Sequence, residues 1–255
     1  MFSADELVGW SQQYYWPFLR LSALFLAAPV FSAGSVPVRA RVLLAVIVTA
    51  LVAPSLPVVT NVDMLGPEGI LVAGQQVLIG LAMGFIMQMV FAAAVIGGQS
   101  LAMGMGLGFA MSVDPQNGVQ VPVLSQLYVI FATLLFLGVN GHLLMIEILV
   151  NSFALLPVGL SVVRPELALE LVLWGSQMFL GALVMALPAL TALLLINLAF
   201  GVITRAAPQL NIFAVGFPVT ILAGFVFVFL TLPSAFAVFR NLFDTGLTQA
   251  AQMFY

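Results

Sequence analysis

The 255-residue chain is 63% hydrophobic and only 6% charged, with a net charge of −3 and neither lysine nor cysteine. Soluble domains carry about 25% charged residues, so a water-soluble fold is excluded and continuous apolar runs predict an all-α membrane protein. The missing cysteines exclude disulfides and thiolate metal sites, and without a basic tract we expect no nucleic-acid partner.

The N-terminal segment carries Asp5 and Glu6 where a cleavable signal would carry positive charge, so we expect no signal peptide. The first apolar block follows at roughly 10–33 and is interrupted by Arg20. A charge inside a membrane segment is functional by default. Two placements are open for Arg20: its side chain snorkels to the interface, or it pairs across a helix interface.

Charges and turn residues divide the chain into about six apolar blocks, and we expect long, kinked helices at roughly 10–33, 42–60, 70–96, 123–150, 169–203 and 210–239. Pro54 and Pro57 lie at the end of the second block, and Pro188 lies inside the fifth. Proline removes a backbone hydrogen bond, so these helices are expected to pack against other protein. If all six blocks span the membrane, more arginines lie in the loops on one side than on the other. The positive-inside rule assigns that side to the cytoplasm, which places both termini outside.

The third block combines amide side chains with small residues. Gly80 and Gly84 form a small-xxx-small pair, which predicts a close approach of another helix. Uncharged amides in a membrane helix need hydrogen-bond partners or water. The block therefore predicts polar contacts for Gln75, Gln76, Gln88 and Gln99.

A tract rich in glycine and methionine follows the third block. Its glycines are Gly97, Gly98, Gly104, Gly106 and Gly108, and they are interspersed with Met103, Met105 and Met111. Such a density of glycine predicts a flexible loop and not a stable helix. The loop is either a deformable stopper or a re-entrant packing segment, and composition alone favours packing. A dinucleotide fingerprint is excluded because Phe109 occupies the third glycine position.

Other candidates for chemistry are weak. His142 and Glu147 are five residues apart, which is not the spacing of a helical zinc site. A dyad of Ser100 with His142 has no flanking signature. We therefore predict no enzyme, no metal and no cofactor. A small-molecule or ion transporter stays open as an alternative, with Arg20 and Glu147 as its main charged residues.

Three segments resemble the FliR family of flagellar export-gate proteins: LRLSALFLAAPVFSAGSVPVRAR at 19–41, GLGFAMSVDPQNG at 106–118 and RAAPQLNIFAVGFPV at 205–219. The resemblance extends over nearly the whole chain. Related injectisome subunits share the segment after Arg205, so a virulence export-gate subunit is a second alternative. The GFPVT ending and the short C-terminus favour the flagellar system.

The resemblance implies a single domain over 1–255, with a FliP-like part at 1–166 and a FliQ-like helical hairpin at 167–255. The hairpin turn would lie at 204–211, and a plug loop of the export channel at 106–122. The implied plug residues are Gly104, Met105, Gly106, Gly108, Phe109, Met111, Asp114, Pro115 and Gln116. The implied turn and assembly residues are Arg205, Pro208, Gln209 and Asn211.

The resemblance also implies partners. Family members occur as one copy with five FliP and four FliQ subunits, and FlhB and FlhA are expected neighbours. The complex would lie in the flagellar basal body at the bacterial inner membrane and pass unfolded export substrates outward. The methionine gasket of the family belongs mainly to FliP, so Met103, Met105 and Met111 are not equated with it.

Overall fold

The computed structural model describes residues 4–57, 62, 64, 66–108, 123–159, 166–207, 209 and 212–253. Over these residues the chain forms α-helices and one short 3₁₀ helix, Ala53–Ser55, which directly follows α2, with no β-strand in the described ranges. The helices are α1 Ala4–Ala27, α2 Val38–Val52, α3 Pro67–Gly104, α4 Val123–Gly138, α5 Gly141–Leu155, α6 Glu166–Ala206 and α7 Ile212–Gln252. The all-α membrane class is confirmed.

The described helices include four that are long and apolar enough to cross a membrane: Val38–Ser55, Pro67–Gly104, Glu166–Ala206 and Val215–Gln252. A fifth span results if α4 and α5 count as one broken segment. The first predicted block forms α1, but α1 is not among these candidate spans. Its first half carries Gln12 and Gln13, and its second half carries Arg20, which lower its apolar character. The expected six spans are therefore not all found.

The predicted block at 123–150 is not one helix. It breaks after Gly138, and Asn140 adopts a left-handed backbone conformation with φ of 57°. Asparagine tolerates this conformation better than most residues, because its short polar side chain compensates locally. The Asn140 carbonyl then accepts hydrogen bonds from the amides of Leu143 and Leu144, which starts α5.

The prediction of a flexible loop in the glycine tract is also wrong for residues 97–104, because α3 continues through Gly97 and Gly98 to Gly104. These glycines serve close packing. A Cβ on Gly98 would lie 2.6 Å from the Ser125 Cα, and a Cβ on Gly97 would lie 3.3 Å from the Ala182 carbonyl oxygen. The helix tolerates the low helix propensity of glycine here because neighbouring backbones occupy the space of a side chain.

The chain divides into two compact units that interleave in sequence. The first contains residues 1–89, 136–175 and 244–255. Within it, Trp16 of α1 packs with Val62 and Val72 in a buried cluster. Gly80 and Gly84 of α3 face α1 so closely that a Cβ on Gly84 would lie 2.5 Å from the Ala27 Cβ, which confirms the close approach predicted for this pair.

The second unit contains residues 90–135 and 176–243. Here α6 and α7 form an antiparallel hairpin, since Gly181 of α6 contacts Leu242 of α7 and the two residues are about equally far in sequence from the break between the helices. Edge-to-face ring pairs join α3 and α4 to α7. The ring centres of Phe91 and Phe239 are 5.7 Å apart, and those of Phe131 and Phe236 are 5.3 Å apart. The hairpin agrees with the predicted turn at 204–211; the likeness of this part to FliQ, and the division at residue 166, stay predictions.

Candidate functional site

The glycine tract ends α3 in a defined turn at Met105–Gly108. The Leu107 amide donates to the Ala102 carbonyl at 2.9 Å, and the Gly106 amide donates to the Met103 carbonyl at 3.0 Å. Gly106 has a φ of 81°. This pair of hydrogen bonds around a left-handed glycine is the Schellman motif, a common helix C-terminus. Gly106 is therefore the residue that stops α3, a role its position just past the helix could have indicated.

The turn after α3 rests against the α6–α7 hairpin within the second unit. A Cβ on Gly104 would lie 2.8 Å from the Leu190 Cδ2 of α6. Met105 is fully buried and its side chain covers Gly224 of α7, while the Phe217 ring of α7 covers Gly106. The start of the predicted plug is thus packed on two helices, and we call residues 104–108 the plug root.

The structure describes only part of the predicted plug. Gly104, Met105, Gly106 and Gly108 lie in the plug root, and the root is a packed helix end instead of a pliable loop. The other predicted plug residues lie outside the described residues: Phe109, Met111, Asp114, Pro115 and Gln116. Their role, and the plug itself, stay predictions.

Two of the amide side chains of α3, those of Gln88 in the first unit and Gln99 in the second, are exposed. Met103 follows Gln99 by four residues, about one helical turn, and is 61% exposed. Gln99 and Met103 therefore share a face that ends at the plug root. Among the described residues, neither Gln88 nor Gln99 has a hydrogen-bond partner, so the predicted polar contacts are not found for these two amides.

The predicted turn and assembly residues lie at the end of the hairpin. Arg205 belongs to the last turn of α6, and it is exposed, as is Gln209 in the turn that follows. Pro208 and Asn211 lie outside the described residues. The role of these residues in assembly stays a prediction.

Arg20 forms the most buried polar cluster of the first unit, with none of its surface exposed. Its Nε donates to the Gln76 Oε1 at 2.8 Å, and its Nη1 donates to the Ser152 Oγ at 2.7 Å. Its Nη2 donates to the Leu156 carbonyl at 3.1 Å, and its guanidinium lies 3.8 Å from the centre of the Phe153 ring. The hypothesis that Arg20 pairs across a helix interface is confirmed.

The surroundings of Arg20 suit a positive charge. Leu156 caps the C-terminus of α5, where the helix dipole is negative, and the Phe153 ring offers its negative face. The Ser152 hydroxyl accepts from Arg20 and donates to the Leu149 carbonyl, so both of its functions are used. The cluster joins α1, α3 and α5, and the side chains of Arg20, Gln76 and Ser152 are all buried.

The other candidates for chemistry gain no support. The Ser100 hydroxyl donates to the Ile96 carbonyl of its own helix at 2.8 Å, which is ordinary helix packing. The His142 ring lies 6.5 Å from the Phe136 ring. Within the described ranges, no three of the histidine, aspartate and glutamate side chains group closely enough to hold a metal ion.

Comparison with known proteins identifies clear relatives. The family described as "Bacterial export proteins, family 1" matches residues 11–246. The chain is 41% identical over 222 residues to the flagellar biosynthetic protein FliR of Escherichia coli K12, covering 87% of this chain and 85% of the relative. It is 40% identical to FliR of Pectobacterium carotovorum, covering 91% and 88%, and 31% identical to FliR of Bacillus subtilis, covering 89% and 88%.

Proposed function

The chain belongs to the FliR family of flagellar biosynthetic proteins, and on that premise we propose that it is a structural and gating subunit of the flagellar type III export gate. As a family member it is a membrane-embedded component of the flagellar export apparatus. The proposal adds that it lines the channel for unfolded flagellar substrates and closes it at rest with the segment 106–122.

The observation that carries the proposal is the plug root. A loop that must close a channel and still yield needs one fixed end, and α3 supplies it by stopping at Gly106 in a Schellman turn. The packing of Met105 on Gly224 fixes this end on the hairpin. The chain that follows contains Met111 and Gly118, and methionine fills irregular space without a fixed shape.

Exposed amides of α3 support the same function. Gln88 and Gln99 are exposed on a helix that is otherwise apolar enough to span a membrane. Glutamine side chains facing lipid would lack hydrogen-bond partners, which is costly. Both positions therefore suit a water-filled passage or a polar partner, and Gln99 lies five residues before the plug root.

We further propose that the chain works as one copy with FliP and FliQ subunits, next to FlhB and FlhA, in the basal body at the inner membrane. The exposed Arg205 and Gln209 suit a contact with such partners, because a polar turn at the tip of a hairpin can satisfy its amides across an interface. Its part in transport is non-enzymatic, and the energy comes from other components of the apparatus.

The experiment is a deletion of residues 109–116 that retains the plug root. The complex of this chain with its FliP and FliQ partners is purified, checked by native mass spectrometry, and placed in planar lipid bilayers. We expect the deleted complex to assemble normally and to conduct ions at rest, whereas the wild-type complex stays closed. An assembled deletion complex with wild-type conductance would show that this segment does not close the channel.

Two further experiments test the alternatives. Solute uptake by vesicles containing the chain alone would indicate a transporter and contradict the proposal. Expression of this chain in a bacterium that has both a flagellum and an injectisome, but lacks its own subunit of this family in each, distinguishes the two export systems. Restoration of motility supports the flagellar gate, and restoration of injectisome secretion alone would overturn that assignment.

A further inference from the structure

An open groove lies between α1 and α2 in the first unit. Its volume is about 410 Å³, within the range of roughly 300–1,000 Å³ that small-molecule sites have. Tyr14 and Phe18 of α1 line one side, and Val46 and Ala50 of α2 line the other. The hydroxyl of Thr49, which also lines the groove, already donates to a carbonyl of its own helix. The groove therefore suits an apolar occupant.

The second helix is the least covered of the candidate membrane spans. Only 17% of the residues in Val38–Ser55 are buried within the chain, whereas the corresponding fraction is 22% or more in the other candidate spans among the described residues. The exposed side chains of α2 include those of Val42, Leu43, Val46 and Ile47. These aliphatic side chains match hydrocarbon and offer a partner helix no polar contact.

An unpaired arginine lies on the groove side of α2. Arg39 and Val46 are seven residues apart and Ala50 follows four residues later, so the three share one face of the helix. Arg39 is exposed and has no ion pair or hydrogen bond to another described residue. Arg41 lies on the opposite side of α2, where its Nη2 donates to three carbonyls of the preceding turn.

The charge of this region is entirely positive. Between Glu6 and Asp63 the sequence contains no acidic residue, and its charged residues there are Arg20, Arg39 and Arg41. Arg20 is buried in its own cluster and Arg41 holds the turn, so Arg39 is the charge that a ligand can reach. A ligand that fills the groove and contacts Arg39 therefore needs an apolar chain and an anionic head.

We propose that the groove binds one anionic phospholipid, with its phosphate on Arg39 and one acyl chain between α1 and α2. The dimensions agree with this occupant. Arg39 and Ala50 are eleven residues apart, which is about 16 Å along the helix at 1.5 Å per residue. The acyl chains of one leaflet reach about 15 Å, half of the hydrocarbon layer. This site, which we call the lipid groove, goes beyond the proposed function and does not depend on it.

The test of the charge is a lipid titration of the purified, delipidated full-length chain, followed by native mass spectrometry. We expect anionic phosphatidylglycerol to bind about fivefold more tightly than phosphatidylcholine, whose choline group offsets the attraction. Arg39→Gln should abolish this preference. The matched control is Arg240→Gln, which removes an exposed arginine of α7 and should retain it. An unchanged preference in Arg39→Gln, or an equal loss in Arg240→Gln, would overturn the proposal.

A second pair of variants tests the groove itself. Ala50→Trp fills the groove and should weaken the binding of both lipids roughly tenfold, because the acyl chain loses buried methylene groups. Leu51→Trp places the same ring on the next residue, which is 75% exposed and does not line the groove, and it should change neither affinity. Thermal unfolding checks that both variants are folded. Equal affinities of the two variants would contradict an acyl chain in the groove.

The assembled complex with FliP and FliQ shows which molecule occupies the groove. Tyr14→p-benzoylphenylalanine places a photoreactive ring in the lining. In nanodiscs that contain both lipids, we expect illumination to attach a phospholipid to this position, as read from the mass of the labelled peptide. Attachment to a partner subunit or to a second copy of this chain, or no attachment of lipid, would overturn the lipid groove.

Discussion

Replacement of Gln76 by leucine tests whether the buried arginine depends on its uncharged partners. Gln76 is 1% exposed and its Oε1 is the acceptor for the Arg20 Nε. Leucine has a similar size but no acceptor, and the site is closed to water. The substitution therefore leaves one N–H of a buried, charged guanidinium without a partner.

The expected loss follows from that single contact. A hydrogen bond to a charged group contributes about 1.5–3 kcal/mol, and an unpaired buried donor loses all of it. For a chain of this size, about 1 kcal/mol changes Tm by about 2–4 °C. We therefore expect Gln76→Leu to lower Tm by about 4–8 °C, for a loss of about 2 kcal/mol.

The double variant Arg20→Met with Gln76→Leu should lose less stability than Gln76→Leu alone. Replacing both members of a buried polar pair by apolar residues is often close to neutral, because no charge remains to be solvated. Ser152 keeps its bond to the Leu149 carbonyl, so only the Leu156 carbonyl loses a donor. This ordering separates the loss of a partner from a loss of packing volume.

The assay is thermal unfolding of the purified protein in detergent micelles, followed by tryptophan fluorescence. Trp16 lies one helical turn from Arg20 and is fully buried, so it reports on this unit. Gln88→Leu is the control, since it is the same change at an exposed position of the same helix and should alter stability by less than about 0.5 kcal/mol. Equal Tm values for Gln76→Leu and Gln88→Leu would refute the reasoning.

Two further predictions concern packing and assembly. Gly98→Ala places a Cβ 2.6 Å from the Ser125 Cα, so we expect a loss of about 1–3 kcal/mol, whereas Gly74→Ala, in open space on the same helix, should gain up to about 1 kcal/mol. Unfolding curves of both variants check this, and equal shifts would contradict it. Gln209→Leu and Asn211→Leu should reduce recovery of the complex with FliP and FliQ but leave the Tm of the chain alone unchanged; native mass spectrometry measures the recovery, and normal yields in both would count against a role in assembly.

The features that the sequence predicts well are those set by local composition. The apolar blocks mark most helices, and the gap between the blocks at 169–203 and 210–239 marks the end of α6 and the start of α7. Gly80 and Gly84 predict a close contact because small-xxx-small spacing has one common physical use. In each case the residues that carry the signal are neighbours in the chain.

The features that the sequence does not predict depend on distant residues. Gln76 and Ser152 lie 56 and 132 positions from Arg20, so no local pattern relates them. The same holds for Gly98, whose absent side chain makes room for the backbone at Ser125, and so composition alone suggests a loop where α3 continues. The left-handed Asn140 divides the predicted block at 123–150 because one residue's backbone conformation outweighs the surrounding propensities.

The length of the hairpin helices has a consequence of its own. α6 and α7 contain 41 residues each, which corresponds to about 62 Å at 1.5 Å per residue. The hydrocarbon layer of a bilayer is about 30 Å thick, so each helix is roughly twice as long as this layer is thick. An apolar surplus of that size would be unfavourable in bulk water. We therefore expect neighbouring protein to cover the apolar surface of these helices that lipid does not reach, in the place that lipid takes within the bilayer.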